Sequence, residues 1–215
     1  MKPLANFLSS SYSQMPPITW HLLVNRTIQR NNTSCSAASL CIALNGLISL
    51  GLPELLEKPL EEPQVLDMLP ESNLRRNLSE GKGGATLDQI TEMASQALEA
   101  LGVSSFTVTR NYLDEPNGRY LENFRKDLAY SAENRNSVII ANYHQGVATG
   151  KDYTHGHHAP VAPIDSNLLQ LCVVDPSMDR SPFIIDTDHL CRAMATRDNT
   201  AGFNRGYTKI VIEGI

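Results

Sequence analysis

Residues 29–50 read QRNNTSCSAASLCIALNGLISL, a polar segment that leads into an apolar one. Small and apolar side chains recur at helical spacing from Ala37 to Ile48, which predicts a buried helix. The Asn, Thr and Ser at 32–34 offer helix-capping side chains directly before Cys35. Cys35 is therefore expected at or near a helix N-terminus, where unpaired backbone N–H groups and the helix dipole stabilise a thiolate.

The length of 215 residues predicts one domain over residues 1–215, and 41% hydrophobic residues are enough for a sizeable core. A net charge of −5 and a pI near 5.7 argue against nucleic acid as a partner. The most apolar stretch is well short of the ~20 residues that a helix needs to span a bilayer. We therefore expect the chain to bind neither nucleic acid nor a membrane.

Four cysteines are spread along the chain without a CxxC pair. This spacing is weak evidence for a zinc cluster or a disulfide framework, and it favours reduced thiols and a cytoplasmic location. The first residues have too short an apolar run for a signal peptide, although export remains an alternative. Cys41, Cys172 and Cys191 have apolar neighbours, so these three are expected in the core.

Helical patterns dominate the first part of the chain and strand patterns the second, which predicts an α+β fold with an antiparallel sheet. Residues 1–30 are interpreted as an irregular lead-in, and a second long helix begins at Thr86 and ends before Gly102. The other predicted segments are a strand over 105–110, a helix over 118–130, strands over 137–143, 158–164, 168–175 and 206–212, and a helix over 187–195.

Cys35, His157 and Asp175 follow one another in the chain order of papain-like thiol catalysis. A thiolate that attacks a carbonyl needs a base that later acts as an acid, and His157 suits that role. Asp175 can fix the tautomer of His157, since two strands and a short turn span the distance between them. The Cys35 N–H and the carboxamide of Gln29 can donate to the oxyanion. The alternative interpretation of Cys35, taken alone, is a small buried side chain with no catalytic role.

These residues belong to a longer pattern that resembles the phytochelatin synthase family, in its short single-domain prokaryotic form. The resemblance extends from about Gln29 to the C-terminus, and six blocks in the family's order make it specific. The blocks are Gln29 to Cys35 with Leu44-Asn45-Gly46-Leu47, Gly84-Ala85-Thr86-Leu87-Asp88, Asn142-Tyr143, Gly156-His157-His158-Ala159-Pro160, Val174-Asp175-Pro176, and Ala193-Met194 with Asp198 and Arg205-Gly206-Tyr207.

The resemblance implies a papain-like fold and attack on the Cys–Gly bond of glutathione, or of a related γ-glutamyl thiol peptide. Glycine leaves, and a γ-glutamylcysteinyl thioester remains on Cys35 until water or a second glutathione accepts it. The family's γ-glutamyl clamp falls on Asp198 and Arg205, with Asn142 and Gly156 also at the substrate. A carboxylate for the α-amino group and a guanidinium for the α-carboxylate suit that ligand.

The resemblance implies no required cofactor, and no residue is assigned as a metal ligand. Cd²⁺ and Zn²⁺ are expected as thiolate complexes of the substrate or as activators, and a homodimer is an open alternative. Two departures from the family leave the choice of acceptor open: Ser36 replaces the usual Gly, and Met178 replaces an Arg, with Arg180 as a stand-in. Hydrolysis is therefore expected at least as much as transfer.

Three alternatives stay open. A zinc hydrolase would use His155-Gly156-His157-His158 with His144 and Asp152. Against it, neighbouring strand residues face opposite sides and the sequence has no HExxH helix, so histidines other than the base are interpreted as loop or rim side chains. A papain-like peptidase or isopeptidase acting on a protein would have a long open cleft. A non-catalytic binding domain would have lost its nucleophile, base or oxyanion donor.

Overall fold

The computed structural model describes residues 2–3, 15–51, 58–115 and 118–213. The helices in this part of the chain are α1 (Pro17–Val24), α2 (Cys35–Ser49), α3 (Glu62–Asp67), α4 (Asn73–Glu80), α5 (Leu87–Ala100), α6 (Gly118–Glu133), α7 (Gln145–Thr149) and α8 (Thr187–Met194). The strands are β1 (Lys2–Pro3), β2 (Phe106–Tyr112), β3 (Ser137–His144), β4 (Gly156–Pro163), β5 (Gln170–Val173), β6 (Phe183–Asp186) and β7 (Gly206–Ile212).

The described strands form one sheet in the order β1-β6-β5-β4-β3-β7-β2, and every neighbouring pair is antiparallel. In the β3–β4 ladder, Tyr143 stands opposite His157 and Asn142 stands opposite His158. Because side chains alternate between the two faces of a strand, His157 and His158 leave the sheet on opposite sides.

β5 runs antiparallel to β4 and brings the predicted carboxylate to the predicted base. Beyond the end of β5 the chain continues beside β4, because the N–H of Val174 donates to the carbonyl of Pro160 at 2.9 Å. Asp175 therefore reaches His157, as the two-strand connection predicted.

Each face of the sheet is covered by helices and has its own hydrophobic core. One core joins α2 and α5 to the face that carries Val138 and Ile140. The other joins α6 and α8 to the face that carries Ile139 and Ala141. β3 lies between the two cores, which explains its nearly continuous apolar sequence. Helices around an antiparallel sheet confirm the predicted α+β class.

α2 is the buried helix that begins at Cys35, and every residue from Cys35 to Leu47 is buried. A helix that is apolar on all sides lies inside a protein, which accounts for its run of small and apolar residues. α1 packs closely on it, since a Cβ on Gly46 would meet Cδ2 of Leu22 at 2.8 Å. A cysteine at the start of a central helix that packs on the strand carrying the histidine is a papain-like architecture.

The prediction of an irregular lead-in is wrong for Pro17–Val24, which forms α1. Pro17 occupies the first turn, where the missing N–H leaves no helical hydrogen bond unmade, so Pro16-Pro17 marks a helix start. Residues 4–14 of that lead-in lie outside the described residues. The strands β1 and β6 and the helix α7 were not predicted from the sequence either. Within the described ranges, no helix has the length and apolar character needed to cross a membrane.

Candidate active site

Cys35 is the first residue of α2, with Ser34 as the N-cap. The Ser34 hydroxyl makes no capping bond in the described structure. It lies 3.3 Å from both the N–H and the carbonyl of Asn31 instead. The first-turn N–H groups of α2 thus keep their positive end directed at the thiol. The predicted helix start is confirmed, while capping by the Ser34 side chain is not seen.

The predicted base and carboxylate form a buried pair. Nε2 of His157 lies 2.9 Å from Oδ1 of Asp175, which is fully buried. Oδ1 also accepts the N–H of Ser177 at 2.8 Å, and Oδ2 accepts from Nε of Arg180 at 2.8 Å. Burial by itself raises the pKa of Asp175, but His157, Arg180 and the Ser177 N–H together hold this pKa well below its usual range. Asp175 is therefore an anion that fixes the ring of His157.

Arg26 ties the segment before the nucleophile to the segment after β5. Its guanidinium donates to the carbonyls of Asp175 at 2.7 Å, Ser177 at 2.9 Å and Arg180 at 2.6 Å. The N–H of Gln29 adds a bond to Pro176 at 2.8 Å. Sequence reasoning missed Arg26, because no local pattern distinguishes an arginine that binds main-chain carbonyls 149 or more residues away.

The Cys35 thiol and the His157 imidazole are electrostatically coupled. Burial by itself raises the pKa of Cys35, but the charge and hydrogen bond of His157, with help from His158, lower it well below its ordinary value. Burial by itself lowers the pKa of His157, but the Cys35 charge and the bond to Asp175 raise it to about 9. The arrangement favours a thiolate beside an imidazolium.

The other cysteines differ from Cys35 in the way the sequence predicted. Cys41, Cys172 and Cys191 are buried, and no disulfide joins them in the described chain. Burial raises the pKa of each thiol to about 12. These three side chains are core residues, which confirms their assignment.

His158 lies beside the nucleophile, so its assignment as a loop or rim side chain is wrong. Its Nδ1 is 3.9 Å from Sγ of Cys35, and the residue is 3% exposed. The alternation of side chains along β4 placed His158 and His157 on opposite faces as expected. What the sequence could not predict is that the N-terminus of α2 lies where both rings reach the sulfur.

Gln29 is buried and lines the cleft next to Cys35. Its Nε2 donates to the carbonyl of Asn31 at 2.8 Å, and its Oε1 has no partner among the described residues. One of the two amide hydrogens is thus committed to the loop that precedes α2. The second amide hydrogen is the one that the predicted oxyanion role would use.

Seven of the eight predicted site residues line one cleft of about 1230 Å³. The eighth, Asp175, lies buried behind His157. The seven residues are Gln29, Cys35, Asn142, Gly156, His157, Asp198 and Arg205. Residues that are far apart in the sequence therefore share a single concave surface with the thiol.

Arg205 lies in this cleft and is 5% exposed. Its Nη1 donates to Oγ1 of Thr196 at 3.2 Å and to the carbonyl of Arg197. Its Nε has no partner within the described ranges, and neither has Nδ2 of Asn142. Burial lowers the pKa of Arg205, while the charge of Asp198 acts to raise it. Unpaired buried donors are rare in proteins, so two of them in one cleft point to a polar ligand group.

Comparison with known families gives a match over nearly the whole chain. The family model described as phytochelatin synthase matches residues 5–207. The chain belongs to the phytochelatin synthase family. No curated protein matches it. Among solved structures it is similar to the Pseudomonas avirulence protein AvrPphB, with a TM-score of 0.34 and 12% identity over 88% of this chain and 97% of that one. Family membership supports a thiol enzyme of the cysteine-peptidase-like kind that processes glutathione.

The residues that depart from the phytochelatin synthase pattern lie in different surroundings. Ser36 is fully buried, and its hydroxyl finds no partner in the described part of the chain. Met178, which replaces an Arg of the family, is 63% exposed. Arg180 instead reaches the carboxylate of Asp175 and stacks over the ring of Tyr153 at 5.4 Å. The proposed stand-in thus lies at the buried carboxylate.

The described residues of the cleft do not supply the set of ligands that the alternative of a zinc hydrolase requires. Among the described residues, no three His, Cys, Asp or Glu side chains gather as metal ligands. His155 is exposed and His158 is buried, while Nδ1 of His144 accepts the N–H of Val147 at 3.3 Å.

Proposed function

We propose that this protein cleaves the Cys–Gly bond of glutathione through a thioester on Cys35. The observation that carries the proposal is that the coupled Cys35 thiol and His157 imidazole lie in the same cleft as the unpaired donors of Arg205 and Asn142. A thiolate attacks carbonyl carbon at neutral pH, and the two donors can bind a carboxylate of the peptide.

The chemistry divides into two half-reactions. The Cys35 thiolate attacks the carbonyl of the cysteinyl residue, and the Cys35 N–H with Gln29 supplies hydrogen bonds to the oxyanion. His157 gives its proton to the departing glycine amine, and the bond to glycine breaks. His157 is then neutral and can take a proton from the acceptor that attacks the thioester, which restores the imidazolium and releases Cys35.

Recognition of the γ-glutamyl end is assigned to the part of the cleft that Arg205, Asn142 and Asp198 line. Arg205 and Asn142 would bind the α-carboxylate through donors that lack a protein partner in the described chain. Asp198, whose charge acts on Arg205, would receive the α-ammonium group. A free α-amino acid end is what separates a γ-glutamyl peptide from the middle of an ordinary peptide, so this pair would provide the specificity.

The size of the cleft bears on the acceptor. Sites for one small ligand measure roughly 300–1,000 Å³, and this cleft measures about 1230 Å³. A cleft larger than this range favours a site that admits a second thiol peptide near the thioester as well as water. We therefore propose both outcomes, with γ-glutamylcysteine from hydrolysis and phytochelatin from transfer. Cd²⁺ or Zn²⁺ would act as thiolate complexes of the substrate.

The test is mass spectrometry of glutathione incubated with the protein, with and without Cd²⁺. Glycine with γ-glutamylcysteine indicates hydrolysis, and (γGlu-Cys)n-Gly oligomers indicate transfer. Cys35→Ala should give neither product, whereas Cys191→Ala, which removes a buried thiol on α8, should give both. Glycine release by Cys35→Ala would refute the mechanism. Release from an ordinary peptide but not from glutathione would favour the peptidase alternative.

The γ-glutamyl clamp has its own test. Arg205→Lys retains a positive charge but loses Nε and the planar fork, so kcat/KM for glutathione should fall about 10–100-fold. Asp198→Asn should raise KM as well. Unchanged kinetics in both variants would contradict the assignment of Arg205 and Asp198 to the substrate.

A further inference from the structure

His158 is a second imidazole at the nucleophile, and the two half-reactions above do not use it. Its Nδ1 lies 3.9 Å from Sγ of Cys35. Both residues are buried, with 3% of His158 and 7% of Cys35 exposed. Hydrogen bonds to a charged group are stronger where water is excluded, so this contact acts directly on the reacting atom.

The position of the His158 ring is set by its backbone. The carbonyl of His158 accepts a hydrogen bond from Oγ of Ser39 at 2.9 Å, and Ser39 lies one helical turn after Cys35. On the other side, His158 stands opposite Asn142 in the β3–β4 ladder. β4 is thus fastened both to the helix that carries the thiol and to its neighbouring strand, so the ring is held where the sulfur is.

The two nitrogens of the His158 ring have different surroundings. Nε2 is buried and has no hydrogen-bond partner in the part of the chain that is described, whereas Nδ1 faces the thiol. In the neutral ring, the single proton is best placed on Nδ1, where a thiolate accepts it. His157 has the opposite arrangement, because its Nε2 is bonded to Asp175 at 2.9 Å.

We propose that His158 is a catalytic residue that holds the Cys35 thiolate through an Nδ1–H···S hydrogen bond. The proposal rests on Cys35 as the nucleophile of the proposed function. His157 gives up its proton in the first half-reaction and regains one in the second, while His158 keeps its proton throughout. No bond to His158 forms or breaks; its donor favours charge on sulfur before attack and when the thioester releases the thiolate.

Besides His158, the charge and hydrogen bond of His157 act on this sulfur, and the Cys35 charge in turn raises the pKa of Glu62 and of Tyr143. A variant of His158 leaves all three in place. A change in the pH dependence of the thiol in such a variant therefore reports the loss of the Nδ1 donor itself.

The test measures the rate at which iodoacetamide alkylates Cys35 in the intact protein as a function of pH, with the site identified by mass spectrometry. His158→Phe keeps a ring but removes the donor, so alkylation at a pH below the wild-type midpoint should slow about tenfold. The midpoint of the profile should rise by about one pH unit. His158→Asn retains an N–H donor near the place of Nδ1, and its rate should stay within about threefold of wild type.

His158→Leu is the second variant without a hydrogen-bond donor, and it replaces His158→Phe if the latter does not fold. His21→Phe, which changes a histidine on α1 that contacts Ser49, is the matched control and should leave the profile unchanged. A donor-free variant with the wild-type profile would overturn the role of His158. Equal losses in His158→Asn and His158→Phe would also overturn it. Failure of the proposed function is distinguishable, because it appears as the absence of glycine release from glutathione by the wild-type protein, whereas the role of His158 is read from the alkylation profiles.

Discussion

Gly156 lies directly against the guanidinium of Arg205: a Cβ on Gly156 would meet Nε at 2.9 Å and Nη2 at 3.2 Å. Gly156 is the first residue of β4 and precedes the predicted base. The absence of a side chain at Gly156 therefore creates the space that the guanidinium occupies. The proposed carboxylate site thus lies against the residue that precedes the proposed catalytic histidine in β4.

Gly156→Ala should reproduce part of the Arg205 phenotype without removing Arg205. The added methyl group displaces the guanidinium, so KM for glutathione should rise about tenfold or more, while alkylation of Cys35 should change little. Steady-state kinetics and iodoacetamide labelling of the same preparation measure the two effects. A parallel loss of thiol reactivity would show instead that the methyl group disturbs His157.

The coupled pair predicts a broad pH optimum. The pKa of Cys35 lies well below its ordinary value and that of His157 is raised to about 9. The thiolate–imidazolium form therefore exists from below the usual thiol range up to about pH 9. We expect kcat/KM for glycine release to fall as pH rises through that value, because His157 can then no longer protonate the leaving amine. An activity that continued to rise above this pH would contradict the assignment.

Asp175→Asn should leave Cys35 in place but change the tautomer of His157. The amide can donate to His157 where the carboxylate accepted, which favours the wrong tautomer, so kcat should fall about 10²–10⁴-fold. The change also leaves Arg180 without its buried counter-charge, and the free energy of unfolding should drop by about 3–5 kcal/mol. Chemical denaturation and glycine-release assays give the two numbers; Asn167→Asp, in an exposed turn, is a control for altered charge.

The decline of stability at acid pH provides a second test of the role of Asp175. The pKa of Asp175 is lower in the folded protein than in the unfolded chain. Its contribution to the free energy of unfolding is therefore present above about pH 3.9, and it is lost as pH falls through the pKa of Asp175 in the folded protein. Asp175→Asn should therefore have a shallower decline of melting temperature at acid pH than wild type. Equal slopes would mean that the carboxylate is not selectively stabilised by folding.

Glu62 is a buried carboxylate under the loop that precedes the nucleophile. Its Oε2 accepts the N–H of Arg30 at 2.9 Å, and its side chain also bonds with Ser34. Burial raises the pKa of Glu62. Its contribution to the free energy of unfolding is therefore fully present below about pH 4.3, and it is lost as pH rises through the pKa of Glu62 in the folded protein. Folding with Glu62 is therefore less favourable at neutral pH than at acid pH.

Two variants separate the charge of Glu62 from its hydrogen bonds. Glu62→Gln keeps an acceptor for Arg30, so its melting temperature should equal or exceed that of wild type at neutral pH, with a smaller difference near pH 4. Glu62→Ala leaves the Arg30 N–H unpaired and should lower the free energy of unfolding by about 1–3 kcal/mol. Thermal scans across pH measure both. A Gln variant as unstable as the Ala variant would show that the charge itself is needed.

Local patterns in the sequence were enough to predict several parts of the fold and of the site. The small and apolar residues after Cys35 predicted a buried helix that begins there, because burial on all sides excludes polar residues from every face of a helix. The strand patterns on either side of a short turn predicted that Asp175 reaches His157. These predictions held because each depends on residues close together in the chain.

Contacts between distant segments could not be obtained in this way. The pairing of Arg26 with the carbonyls after β5, and of Arg180 with Asp175, depends on how the loops fold over the end of the sheet. Helix α1 was missed because Pro17 at its first turn has the same local appearance as a turn. A proline favours both structures, and only the packing of Leu22 against Gly46 selects the helix.

The sequence by itself determined the buried helix at Cys35, the α+β class and the order of nucleophile, base and carboxylate. Tertiary structure alone decided that the rings of His157 and His158 both lie at Sγ of Cys35, and that Gly156 leaves space for Arg205. The physical reason is the register of the sheet. A shift of one residue between β3 and β4 would exchange the faces of His157 and His158, and that register is fixed by two hydrophobic cores drawn from the whole chain.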